Sequence, residues 1–225
     1  MRSFDAQCKS ITIMKPDLLV LQPALGYLLC YNISMNKPIL YIIAGANGTG
    51  KSTLACELLS DANIEFLNAD DTAKGLCPDN IESVKIKAGK IVLKKLDKLL
   101  LNKKSFAIET TLSGKNHIKT IERAKSLGYR TVIIYSYLDN PTMCENRIKI
   151  RVLNGGHNIP KEDISRRFYR SIENFYKIYK DLVDEWILFY NGTSDYAKIA
   201  KCKNHNIEIL NETLYNNFIK DFLND

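Results

Sequence analysis

The segment Tyr41-Ile42-Ile43-Ala44-Gly45-Ala46-Asn47-Gly48-Thr49-Gly50-Lys51-Ser52-Thr53 constrains this chain more than any other stretch. A short apolar run ends in G-x-x-x-x-G-K-S, and Thr53-Leu54-Ala55 then leads into a helical pattern. Ile39, Leu40, Ile42 and Ile43 form a continuous apolar run, as a parallel strand covered on both faces requires. Gly45, Gly48 and Gly50 permit backbone angles that let peptide N–H groups converge on phosphate oxygens. Lys51 adds a positive charge for the outer phosphates, Ser52 offers a hydroxyl to Mg²⁺, and the helix N-terminus favours an anion. With strand before and helix after, the motif predicts a nucleoside triphosphate cradled by Gly45, Ala46, Asn47, Gly48, Thr49, Gly50, Lys51, Ser52 and Thr53.

Composition sets the frame around this loop. The 225 residues suffice for one α/β domain with a sizeable core. A formal charge of +7 and a pI near 9.0 suit an anionic ligand. The six cysteines, at 8, 30, 56, 77, 144 and 202, form no C-x-x-C pair or Cys/His cluster, which argues against zinc and a disulfide framework and for a reduced, cytoplasmic setting. Asn47-Gly48-Thr49 is formally a glycosylation site, but a glycan there would block the loop. Residues 1–36 carry the apolar runs Leu18–Leu21 and Ala24–Cys30, interrupted by Gln22-Pro23 and too short to span a bilayer. They are read as an extension preceding a domain over 37–225, with no membrane as partner.

From Pro38 onward strands and helices alternate. Strands are expected at 39–44, 64–68, 106–108, 131–138 and 185–190, and helices near 51–60, 80–102, 114–127, 141–153 and 161–180. A short strand near 206–210 and a helix near 211–223 close the chain. Such β-α-β units predict a P-loop NTPase or kinase fold. Its sheet would be five-stranded and mainly parallel, flanked by helices, with a helical arginine-bearing lid.

Ligands of such sheets bind at the carboxyl ends of the strands. The second strand ends in Asn68-x-Asp70-Asp71 and the third in Glu109-Thr110-Thr111. Asp70 is the expected general base, since a carboxylate near a γ-phosphate can accept the proton of an incoming hydroxyl. Asp71 is read as a helix cap or solvated neighbour. Glu109, Thr110 and Thr111 are candidates for the acceptor's hydroxyls or for a water on Mg²⁺, the alternative being a strand-end turn held by threonine hydroxyls. Residues 145–180 hold nine Lys/Arg against four Asp/Glu. Arg151, and Arg167 at the border of the apolar stripe Ile164, Phe168, Ile172, Phe175 and Tyr179, are the expected phosphate contacts, with Arg166 in reserve. His157 sits in a Gly-Gly-His turn, either touching a ligand or bracing the turn. Asn191 follows the fifth strand and is placed to meet a nucleotide base.

GANGTGKST, FLNAD, AIETTLSG, RVLNGGHNIP and ISRRFYRSIENF, in this order, resemble the zeta toxin-like P-loop kinases, in the branch often labelled predicted ABC-type ATPases. The likeness runs from about Pro38 to Tyr190. It implies an ATP- and Mg²⁺-dependent phosphotransferase acting on a hydroxyl of a nucleotide sugar such as UDP-N-acetylglucosamine, and an antitoxin protein as partner. On this likeness Lys51 and Ser52 serve ATP and Mg²⁺, Asp70 is the base, and Glu109 with Thr111 holds the sugar nucleotide. Arg151 and one of Arg166 and Arg167 would stabilise the γ-phosphate. An ABC transporter ATPase is excluded: Leu112-Ser113-Gly114 is not followed by Gly-Gln, and Leu138-Asp139-Asn140 lacks the adjacent glutamate. The alternatives are a kinase of nucleic-acid ends or free sugars, and an ATP-binding regulatory module without transfer.

Overall fold

The computed structural model describes residues 37–59, 64–156, 158–192 and 196–220. The expected extension over 1–36 and the turn residue His157 lie outside the described residues. The elements run β1 (Ile39–Ala44), α1 (Lys51–Leu59), β2 (Glu65–Leu67), α2 (Ala69–Leu76), α3 (Ile81–Leu101), β3 (Phe106–Thr110), α4 (His117–Ser126) and β4 (Arg130–Tyr137). They continue as α5 (Pro141–Leu153), α6 (Lys161–Asn174), a π-helical segment (Phe175–Tyr179), α7 (Lys180–Leu182), β5 (Glu185–Tyr190), β6 (Ala197–Lys203), β7 (Asn206–Ile209) and α8 (Glu212–Ile219).

One sheet carries the molecule, in the order β2-β3-β1-β4-β5-β6-β7. The first five strands in that order are parallel, as expected. The sheet is wider than the five strands expected, because β6 and β7 extend it antiparallel at one edge. No element was expected over Ala-Lys-Ile-Ala-Lys-Cys-Lys of β6, yet pairing with β5 buries Ile199 and Ala200 completely. All six residues of β1 are buried between β3 and β4, so its apolar run faces core on both sides. On one face Leu40, Ile42, Ile108, Tyr135 and Leu188 meet Leu96, Leu99 and Leu100 of α3, Ile121 of α4, Phe168 of α6 and Phe218 of α8. On the other, Tyr41, Ile43, Ile134 and Phe189 meet Leu54, Ala55 and Leu58 of α1.

Local chemistry fixes the joints. Asn80, Asn140 and Asn211 cap α3, α5 and α8 by accepting hydrogen bonds from the backbone N–H groups of Ser83, Met143 and Leu214. Pro141 opens α5, where its missing N–H costs no hydrogen bond. The Asp184 carboxylate accepts from the Thr131 N–H at 2.7 Å and the Thr131 hydroxyl at 2.8 Å, locking the starts of β4 and β5 together. The helix expected over 161–180 is interrupted: a π-helical segment follows α6 and brings Phe175 and Tyr179 onto the buried stripe. Among the described residues no helix is long and apolar enough to cross a membrane.

Candidate active site

β1 lies between β3 and β4 while the chain passes next to the outer strand β2, so the switch point falls at its carboxyl end, directly under the glycine-rich loop. Gly45, Gly48 and Gly50 adopt φ of +136°, +83° and +90°. A Cβ at Gly45 would stand 2.2 Å from the Ser136 carbonyl oxygen, and one at Gly48 2.7 Å from that of Cys144. Both backbone angle and close approach therefore demand glycine.

Lys51 is buried at the start of α1. Its ammonium donates to the Ala46 carbonyl at 2.8 Å and lies 3.9 Å from Glu109 Oε1. Burial holds Lys51 below the ordinary lysine value; Glu109, Cys144 and Asp70 oppose this, and Arg151 adds to it. Of the expected site residues, Glu109 stands against the ammonium, while Asp70 and Arg151 act on it only through their charge. Arg151 stands in the last turn of α5, and the following Gly156 N–H folds back onto its carbonyl at 2.8 Å.

The Ser52 hydroxyl donates to Glu109 Oε2 at 2.8 Å, and Asn68 Nδ2 donates to the same oxygen at 3.0 Å. With its proton committed to Glu109, the Ser52 oxygen keeps its lone pairs for a hard cation. Among the described residues no group of three or more His, Cys, Asp or Glu could hold a metal ion. A divalent cation here would depend on phosphate oxygens, as Mg²⁺ sites at nucleotides do. Glu109 is thus tied to the phosphate loop. The Thr110 hydroxyl accepts from the Leu112 N–H at 3.1 Å and the Thr111 hydroxyl bonds the Ser113 hydroxyl at 2.8 Å, so both serve the turn that holds Leu112 at φ +53°.

Asn68, not Asp71, caps α2: its side-chain oxygen accepts from the Asp70 N–H at 2.8 Å and the Asp71 N–H at 3.3 Å. This leaves the exposed Asp70 carboxylate in the first turn of α2, facing a cavity of about 300 Å³. Asn47 of the loop and Asp163 and Arg167 of α6 line the same cavity. Glu82 and Lys85 of α3 and the segment Asn158-Ile159-Pro160 complete it. Arg167 donates to Asn47 Oδ1 at 3.4 Å and to Asp163 Oδ2 at 3.2 Å, which holds its guanidinium between lid helix and phosphate loop. Arg166 is exposed and donates to Asp163 Oδ1 at 2.6 Å. Sequence reasoning placed Asn68 at the strand end without a role, and missed Asp163 and the α3 wall. Asp163 left a signal in standing four residues before Arg167 on one helix face, and Asn68 in standing two residues before Asp70, where a helix cap sits.

A phosphate loop with a buried lysine, a serine–carboxylate pair at the next strand end and an arginine-bearing helix over the cleft define a P-loop kinase-type α/β fold. The chain belongs to the zeta toxin family, whose description "Zeta toxin" matches residues 29–198. It is 31% identical to an uncharacterized protein of Haemophilus influenzae over 136 residues, 60% of this chain and 95% of the relative. Its fold is similar to that of the AvrRxo1-ORF1:-ORF2 complex with ATP, at a TM-score of 0.68 and 16% identity over 87% of this chain and 67% of that one. It is similar also to the PezAT chromosomal toxin–antitoxin system of Streptococcus pneumoniae, at a TM-score of 0.62 and 16% identity over 93% and 90% of the two chains.

Proposed function

We propose that this protein transfers the γ-phosphate of ATP to a hydroxyl of a small acceptor of the nucleotide-sugar class, such as UDP-N-acetylglucosamine. We propose further that it acts as the toxin of a pair held in check by an antitoxin protein. The observation that carries the transfer reading is the shared cavity: one phosphate-loop residue, Asn47, one carboxylate, Asp70, and one arginine, Arg167, face the same space. A volume of about 300 Å³ suits a single sugar ring, with the remainder of a nucleotide sugar outside the mouth. Carboxylates, two amides and a guanidinium around it offer partners to several hydroxyls.

In this reading the loop N–H groups and Lys51 hold the phosphates, and Arg151 and Arg167 balance the charge that spreads over the transferring group. Mg²⁺, when bound at Ser52 and the phosphate oxygens, would supply further charge neutralisation. Asp70 orients the acceptor hydroxyl and takes its proton. Glu109 fixes Ser52 and Lys51 rather than the sugar, while Thr110 and Thr111 shape the adjoining turn.

The test is incubation with γ-labelled ATP and a panel of UDP-sugars, free sugars and oligonucleotides. Label on a UDP-sugar supports the proposal. Label on an oligonucleotide end or a free sugar moves the acceptor to that class, and label released only as inorganic phosphate in every reaction overturns transfer. Co-purification with the product of the adjacent gene tests the antitoxin.

A further inference from the structure

The outer side of the phosphate loop is held by groups that the transfer reading does not use. The Thr49 carbonyl accepts from the Ser136 hydroxyl at 2.6 Å and from Asn191 Nδ2 at 2.8 Å. The Gly50 carbonyl accepts from the Tyr196 hydroxyl at 2.7 Å. Arg147 of α5 donates to the Asn191 carbonyl at 2.5 Å, fixing that residue in turn. Ser136 and Asn191 are buried, at 0% and 8% exposure, so these bonds form away from bulk water. A Cβ on Gly50 would stand 2.4 Å from Asn191 Nδ2 and 2.5 Å from the Tyr196 hydroxyl. The two side chains therefore press on the loop as closely as glycine permits.

Peptide planarity turns these contacts into control of the ligand side. In a trans peptide the C=O and the N–H of the next residue point in opposite directions within one plane. Drawing the Thr49 carbonyl toward Ser136 and Asn191 aims the Gly50 N–H the other way. The Gly50 carbonyl, which also accepts from the Leu54 N–H at 2.9 Å, is held by Tyr196 in the direction that aims the Lys51 N–H the other way. Those N–H groups are among the donors a triphosphate needs.

We infer that Asn191 and Tyr196, with Ser136 and Arg147 behind them, form a clasp that presets the phosphate loop for polyphosphate binding. Asn191 is on this account a positioning residue, not a contact for the nucleotide base. The inference rests on the reading of Gly45–Thr53 as a triphosphate cradle. It adds that residues joining β5 to the antiparallel edge of the sheet set the cradle's affinity.

The experiment measures displacement of a fluorescent ATP analogue from the full chain by ATP, by inorganic tripolyphosphate and by adenosine. Tyr196→Phe keeps the ring and removes one donor, so ATP and tripolyphosphate should each bind about threefold to tenfold more weakly. Asn191→Asp sets a carboxylate against the Thr49 carbonyl and should cost about tenfold or more for the same two ligands. Adenosine affinity should stay as in the wild type, and the melting temperature of Tyr196→Phe should fall by no more than the about 2–4 °C that one lost hydrogen bond brings. Equal losses for adenosine and ATP would make Asn191 a base contact and overturn the clasp, as would unchanged binding in both variants. A wild-type chain that binds neither ATP nor tripolyphosphate overturns the cradle itself and the clasp with it.

Discussion

Lys51 shows at the scale of one residue how a site is readied for an anion. Burial disfavours its charged form in the free protein, and phosphate oxygens would restore it. ATP affinity should therefore be complete below the lowered Lys51 value and fall as pH rises through it, sooner than an ordinary lysine near 10.5 would allow. Titration calorimetry from neutral to alkaline pH checks this, and affinity that stays constant until an ordinary lysine titrates near 10.5 would contradict it. Gly50→Ala should abolish ATP binding, because φ of +90° and two contacts under 2.6 Å leave no room for a methyl group; retained affinity in a binding titration would show that the loop yields. The loop itself was legible in the sequence because nine contiguous residues carry its chemistry. Its clasp was not: Asn191 and Tyr196 reach carbonyls 142 and 146 residues away, and no local pattern encodes such a pairing.

Elements with strong periodicity were legible, and those made by tertiary pairing were not. β1, α5 and β5 match their expected bounds because apolar runs, Pro141 and flanking turns mark them. β6 escaped because three lysines within seven residues break any apolar alternation, and only the neighbouring β5 makes it a strand. α2 escaped because Gly75 and two aspartates depress helix propensity, while the Asn68 cap restores the first turn. The C-terminal α8 closes the core: the Phe218 ring lies 4.9 Å from Tyr137, 5.8 Å from Tyr135 and 5.9 Å from Phe175. Phe218→Ala should cost about 3–5 kcal/mol in urea denaturation, and a loss below about 1 kcal/mol would mean the helix docks loosely.

At the start of β5, burial alone would raise the Asp184 carboxyl, but hydrogen bonds from Thr131 and Lys125 hold it below its usual 3.8. The stability it contributes is present above that value and lost as pH falls below it. Asp184→Asn should flatten the acid limb of the stability profile; an unchanged slope below pH about 4 would contradict the assignment.

The whole molecule places chemistry by topology. Three strand ends and one lid helix, far apart in the chain, meet at the end of β1. The class of fold was readable from the loop and the β-α-β alternation. The far wall of the cavity was not, since Glu82, Lys85 and the residues 158–160 come from parts of the chain that only tertiary packing brings together around it. Arg167 spans that closure between Asp163 and Asn47, so Arg167→Ala should lower transfer more than ATP affinity. Turnover and binding measured side by side would show it, and parallel losses would assign Arg167 to nucleotide binding alone.

The most direct measurement is γ-phosphate transfer by Asp70→Asn beside the wild type, with ATP binding followed in the same preparations. The account predicts unaltered ATP affinity and transfer reduced by about 10²–10⁴-fold, the share a positioned base supplies. Undiminished transfer in that variant would contradict the assignment of Asp70 and, with it, the cavity as the place where phosphate meets its acceptor.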